Sequence, residues 1–206
     1  MNDAIIIQQA YPGDIFPAMI ELQRERNERY AKAHNFDLQI VIDMVVPEWP
    51  IAAGAWAKVE LIRRALYTGY KYVIWLDADA LIWDTSVDLR DGCPVGIGTC
   101  WHRYPPMHHW NVGVIFMQNT PDVRKFVSDW LAEYSVVNGG WGEQGVYNRL
   151  ARQGKTVVTI SDRWNATLNM NMVPDAVVLG FHGVGTPAER LEIMRQTFRQ
   201  VDVSNG

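Results

Sequence analysis

Tyr72-Val73-Ile74-Trp75-Leu76-Asp77-Ala78-Asp79-Ala80-Leu81 is the stretch that decides the fold. Its opening run, Tyr72 to Leu76, is almost wholly apolar, the pattern of a strand covered on both faces in a parallel sheet. Two carboxylates follow immediately. In an open α/β sheet, ligands settle in the crevice beyond the carboxyl ends of the strands, which is where Asp77 and Asp79 are expected. In extended backbone, residues two apart share a face at roughly 7 Å, so both acids can look into one cavity while Ala78 points away. Magnesium and manganese prefer oxygen ligands and commonly take one or two carboxylates together with substrate phosphates. The triplet therefore reads as a metal bridge to a diphosphate. The plainer alternative is a turn or a solvated strand end. Trp75, Trp83 and Ala80-Leu81-Ile82 surround the acids with apolar residues, and buried acids need partners.

Working outward, Ala4 to Gln8 reads as a first strand, with a turn at Pro12-Gly13. A long amphipathic helix follows from Asp14 to about His34, then a second strand at Leu38 to Ile42. Pro47-Glu48-Trp49-Pro50 dictates an irregular loop, because each proline restricts itself and its predecessor. A second helix runs from Ala55 to Thr68, and Gly69 is placed to end it. Further strands are expected at Val95–Thr99, Val112–Met117, Thr156–Ile160 and Ala176–Leu179. Helices are expected at Pro121–Tyr134, at about Gly142–Arg152, and from Thr186-Pro187-Ala188-Glu189 toward Gln200. Strands alternating with helices imply an α/β class with a mostly parallel, Rossmann-like sheet flanked by helices.

The chain has 206 residues and nothing in its middle reads as a linker, so one domain over 1–206 is expected. A net charge of -4 supplies no bulk positive field for nucleic acid or anionic lipid. Cys93 and Cys100 match neither a disulfide framework nor a zinc knuckle and read as free thiols in a reducing compartment. No apolar run approaches the ~20 residues that span a bilayer, and the expected address is the cytoplasm.

Four segments in order resemble a known family. Ala55-Trp56-Ala57-Lys58 through Asp77-Ala78-Asp79, then Trp110-Asn111-Val112-Gly113 with Asn119, then Gly142-Glu143-Gln144, then Phe181-His182-Gly183 are similar to the galactosyltransferases and mannan-type transferases related to xyloglucan xylosyltransferases. The resemblance implies a single-domain A-type glycosyltransferase fold, with a donor-binding half at about 1–85 and an acceptor and catalytic half at about 86–206. By the same resemblance Asp77, Asp79 and His182 would hold Mn2+ or Mg2+. Lys58 would approach the donor phosphates, and Asn111 and Gly113 would line the acceptor or sugar pocket. Gln144 would lie near the anomeric carbon, with Glu143 beside it on sugar hydroxyls. Gly183 and Gly185 would let the loop close over the donor. The implied reaction moves a hexose or pentose from a nucleotide-diphosphate sugar, a UDP-sugar, to an acceptor hydroxyl with retention. The acceptor would be a glycan or another hydroxyl-bearing molecule, and the acidic net charge disfavours a modified DNA base.

Plainer readings accompany several of these residues. His182 could be an ordinary loop histidine, and Gln144 could cap its own helix. His102, His108 and His109 read as residues of one loop near the acceptor rather than as ligands. Trp75, Trp83 and Trp130 suit a core, whereas Trp49, Trp101, Trp110 and Trp141 are candidates for stacking on donor or acceptor. A non-catalytic relative that binds a nucleotide-sugar or glycan is the alternative function. An aspartyl-phosphate phosphatase also uses Asp-x-Asp, but normally after its first strand.

Overall fold

The structure, a computed structural model, describes residues 2–42, 54–104, 107–135, 142–168 and 170–204. The 47–50 loop, Trp49 and Trp141 lie outside the described residues.

The chain opens with strand β1 (Ala4–Ala10), every residue of which is buried. Helix α1 (Ile15–His34) ends at Asn35, whose φ of 56° places it in the left-handed region that stops a helix. Strand β2 (Phe36–Ile42), helix α2 (Gly54–Thr68) and strand β3 (Tyr72–Asp77) follow, in the expected order. Gly69 adopts a φ of 102° and ends α2. Strand β4 (Ala80–Ile82) leads to β5 (Ile97–Tyr104), β6 (Met107–Trp110), β7 (Val114–Gln118), α3 (Pro121–Ala132), α4 (Gly142–Gln153), β8 (Val157–Ile160), β9 (Ala166–Thr167), β10 (Val178–Gly180) and α5 (Pro187–Ser204). The α3 start is capped as expected, with Thr120 Oγ1 accepting from Val123 N. At α5, Thr186 and Glu189 form a reciprocal capping box.

The main sheet has the order β2-β1-β3-β7-β5-β6, with β8 also on β5. The expected parallel arrangement holds for β2, β1 and β3 and for the β5–β8 pair. The remaining pairings, β3–β7, β7–β5 and β5–β6, are antiparallel. The sheet is therefore mixed, because β7 enters between β3 and β5 running the other way. As a result β3, β5 and β8 point in one direction and their carboxyl ends share one edge of the sheet.

The alternation along the strands separates two cores. Ile5, Ile7, Val73, Trp75, Ile97 and Ile115 pack under α2, α3 and α4. Ala4, Ile6, Ile74, Leu76, Cys100 and Phe116 pack on the other face with Tyr30 and Trp164. A third cluster joins α1 and α5 around Ala78, Leu81, Leu179 and Phe181. Cys93 and Cys100 are free, as expected. Burial pushes the Cys93 thiol up to about 12, so it is inert as a thiolate.

The histidine loop of the sequence reading is instead the β5–β6 hairpin, in which Trp101 faces Trp110 and His102 faces His109 across the strands. β6 and β7 both run antiparallel to β5, yet their registers differ by three residues. They form one strand interrupted at Asn111-Val112-Gly113, a bulge that bends backbone toward the end of β3.

Candidate active site

The bulge meets β3 where the acids begin. Gly113 O accepts from Asp77 N at 2.8 Å, and Asn111 Oδ1 holds the turn by accepting from Gly113 N at 2.8 Å. A Cβ on Gly113 would sit 2.9 Å from Asn111 Oδ1 and 3.2 Å from Asp77 Oδ2. Only glycine lets the bulge lie this close to the carboxylate. Asn111 Oδ1 also accepts from Asn165 Nδ2 at 3.0 Å, which fixes the bulge to the opposite wall. Asn119 is structural, donating to Leu66 O and Tyr70 O.

Lys58 reaches this point from α2. Its Nζ lies 3.0 Å from Asp77 Oδ1 and 3.6 Å from Glu143 Oε1, and donates to Val112 O at 3.0 Å. The side chain is 1% exposed. Trp75 Nε1 donates a second bond to Asp77 Oδ1 at 2.7 Å. Burial works against the Lys58 charge, but the carboxylates of Asp77 and Glu143 outweigh it and hold the amine above its ordinary pKa. Burial also raises Asp77. The Lys58 charge opposes that rise and the nearby Asp79 adds to it, leaving the carboxyl above its usual range.

Asp79 has a different partner. The backbone turns after Asp77, so the acids are not two residues of one extended strand. Ala78 is buried in the third core, with its carbonyl accepting from Gln23 Nε2 at 2.7 Å. The Asp79 carboxylate pairs with Arg190 of α5, Nη1 to Oδ2 at 2.5 Å. Arg190 Nε is buried without a partner among the described residues. The reading from sequence missed Arg190, which carries no local motif and stands 111 residues away.

Glu143 and Gln144 open α4. Trp130 Nε1 donates to Glu143 O at 2.7 Å, and Gln144 Oε1 accepts from Val112 N at 3.3 Å. Gln144 therefore holds the bulge rather than capping its own helix. Tyr11, immediately after β1, was also missed. Its hydroxyl is raised by burial and then by the charges of Asp77, Glu143 and Asp79, which places it in the same neighbourhood. The parallel pairing of β1 with β3 was the signal that could have found it, since both carboxyl ends share an edge.

His182 stacks on His102 with ring centroids 4.9 Å apart, and its Nε2 lies 3.1 Å from His102 Nδ1 and 3.2 Å from Thr167 Oγ1. Burial, then the charges of Arg190, His109 and Lys58, push it down to about 3. His102 is likewise lowered to about 3, by burial first and then by His182 and His109. Both rings are therefore neutral near pH 7, the form that can ligate a metal. Gly183 follows with a φ of 76°. Among the described residues no three acidic, histidine or cysteine side chains gather to hold one ion. Lys58, Asp77, Asn111, Gly113, Glu143 and Gln144 thus converge on the bulge, Asp79 sits beside them under Arg190, and His182 engages His102 instead.

Comparison with known proteins bears on what this edge does. Residues 10–93 match the galactosyl transferase GMA12/MNN10 family model, a span that contains Lys58, Asp77 and Asp79. The fold is similar to that of a glycosyltransferase involved in the glycosylation of the major capsid of PBCV-1, with a TM-score of 0.72 at 20% identity over 94% of this chain and 98% of that one. The family match thus covers less than half of the 206 residues, and what the chain shares with the solved glycosyltransferases is their fold. The apo form of GlyE from Streptococcus pneumoniae TIGR4 is similar at a TM-score of 0.61 and 13% identity, over 98% of this chain and 64% of GlyE. At these identities the structural likeness is one of fold. No curated protein sequence matches the chain. No helix among the described residues is long and apolar enough to cross a membrane.

Proposed function

We propose that the chain transfers a hexose or pentose from a nucleotide-diphosphate sugar, a UDP-sugar, to an acceptor hydroxyl with retention of configuration, aided by Mn2+ or Mg2+. The observation that carries this reading is the charge arrangement at the end of β3, where two carboxylates are each neutralised by a cation of the chain itself: Asp77 by Lys58 and Asp79 by Arg190. A buried carboxylate must be paired, so a fold whose acids serve a metal needs substitutes when no metal is bound.

Asp77 and Asp79 are the residues that would hold the ion, a pair of oxygen donors of the kind magnesium and manganese share with substrate phosphates. An ion held there would supply positive charge against the negative charge developing on the departing nucleoside diphosphate. As the donor enters, Arg190 turns from Asp79 to the diphosphate, and its unpartnered Nε gains an acceptor. Lys58 stays in place between Asp77 and Glu143 and contributes positive charge without moving. The Asn111–Gly113 bulge supplies a close, side-chain-free wall for the sugar. Glu143 accepts sugar hydroxyls, and Gln144 stands at the bulge near the anomeric carbon. An amide is a weak nucleophile, so attack by the acceptor hydroxyl on the face that the diphosphate leaves accounts best for retention. His182, neutral at pH 7, would have to give up His102 and Thr167 to ligate the metal through Nε2.

The test is a screen of nucleotide-sugars for slow hydrolysis with Mn2+ and with chelator. One donor turning over with metal and not with chelator is expected. Tight binding of a donor with no turnover of any would favour the non-catalytic binding relative.

A further inference from the structure

The β5–β6 hairpin presents different chemistry on its two faces. His102 and His109 face inward, while Trp101, Arg103 and Trp110 fall on the opposite face by the alternation of a strand. The outward face lines a cavity of about 680 Å³ together with Thr159, Ser161 and Asp162, a volume within the range of small-molecule sites. We infer that this groove binds an outer sugar ring of a glycan acceptor, one removed from the ring that carries the reacting hydroxyl. The inference rests on the transfer reading only in calling the bound sugar an acceptor.

The groove is built rather than incidental. The indoles of Trp101 and Trp110 meet at 75° with centroids 4.6 Å apart, forming a corner of two aromatic walls. Trp110 is fixed at its ring by a bond from Nε1 to Thr159 Oγ1 at 2.9 Å. Its backbone is clamped by Asn148, which accepts from Trp110 N at 2.8 Å and donates to Trp110 O at 2.9 Å. Asn148 also donates to Gln144 O, so the corner is tied to the helix that carries Glu143 and Gln144.

The lining fits a pyranose. The C–H face of a sugar ring carries slight positive charge and stacks on the negative face of an indole. Its hydroxyls then need donors and acceptors at the rim, and Arg103 and Asp162 provide both. Neither makes an ion pair among the described residues. A nucleobase would also stack, but the acidic Asp162 and the net charge of -4 repel its phosphates.

Position argues for an acceptor. β3, β5 and β8 run the same way, so the groove opens at the sheet edge that carries Asp77. Only β7 separates β5 from β3, an offset of about 10 Å at two strand spacings. Trp110 is followed directly by the Asn111–Gly113 bulge. A glycan held on the indoles would therefore extend its next sugar toward the reaction centre.

The experiment is calorimetry of the intact chain with manno-, gluco- and galacto-oligosaccharides from di- to hexasaccharide, with a single-stranded oligonucleotide and with UDP plus Mn2+ as parallel titrants. One oligosaccharide series is expected to bind. Trp101→Ala should weaken it about tenfold and Trp101→Phe much less, since the aromatic face survives. Arg103→Ala and Asp162→Asn, at the rim and harmless to folding, should each weaken it about threefold. The inference is overturned if no oligosaccharide binds, if the variants bind as tightly as the parent, or if the oligonucleotide binds in preference. Saccharide binding without UDP binding would refute the donor reading and leave the groove standing. UDP binding with saccharide affinity unmoved in the variants would do the reverse.

Discussion

The two carboxylates of the acidic triplet are neutralised in different ways. Lys58 belongs to the parallel frame of α2 and β3 and is locked by Asp77, Val112 O and Glu143, with its ammonium 5.4 Å from the centre of the Trp75 ring. Arg190 arrives from the far end of the chain, beyond the left-handed Gly183 and Gly185, and grips Asp79 through one nitrogen. The two cations differ in burial, Lys58 being 1% and Arg190 17% exposed. On the proposed reading, Lys58 keeps the site formed and Arg190 changes partners as the charged donor enters and leaves.

Variants can break this contrast. Lys58→Met leaves Asp77 and Glu143 buried without their cation and should cost about 3–5 kcal/mol in urea denaturation. A loss no larger than that of Arg190→Ala would erase the distinction.

The stacked histidines give a pH signature. His102 and His182 are held down to about 3, against ~6.5 unfolded, so their contribution is complete above about pH 6.5 and is lost as pH falls toward 3. Each ring should remove about 2 kcal/mol by pH 5. His182→Gln should flatten that descent. An equally steep profile in the variant would place the titrating groups elsewhere.

Gly113→Ala would force Asn111 or Asp77 to shift, since the new methyl meets Asn111 Oδ1 at 2.9 Å. The expected loss is about 1–3 kcal/mol of stability, with weaker nucleoside diphosphate binding. Arg190→Ala should cost less, about 1–2 kcal/mol. Manganese alone should then raise the melting temperature of the variant more than that of the parent, because the ion replaces the missing cation at Asp79. Equal shifts would mean that Asp79 does not see the metal.

The frame from β1 to β3 was legible because its signals are local: an apolar run such as Tyr72 to Leu76, the helical spacing in α1, the stop at Gly69. The position of Asp77 at a carboxyl end followed from those alone. The hairpin was not legible. His102, His108 and His109 read as a loop because their strand character comes from pairing Trp101 with Trp110, which no local pattern announces. The direction of β7 was hidden for the same reason, and with it the mixed sheet. Arg190 and the His102–His182 stack join residues 111 and 80 positions apart from their partners. Gly113 and Gln144 were found through the resemblance, but their physical reason, a bulge pressed against Asp77 and held at Val112, emerges only in three dimensions.

The central claim is that the carboxylates at the end of β3 serve a metal-bound nucleoside diphosphate. Calorimetry of UDP against the intact chain tests it most directly, once with Mn2+ and once with chelator. The account predicts binding with the metal and an affinity at least about tenfold weaker, a difference of ~1.4 kcal/mol, without it. Equal affinity in the two conditions would contradict it, and would leave Asp77 and Asp79 as acids of an ion-pair network closed by Lys58 and Arg190.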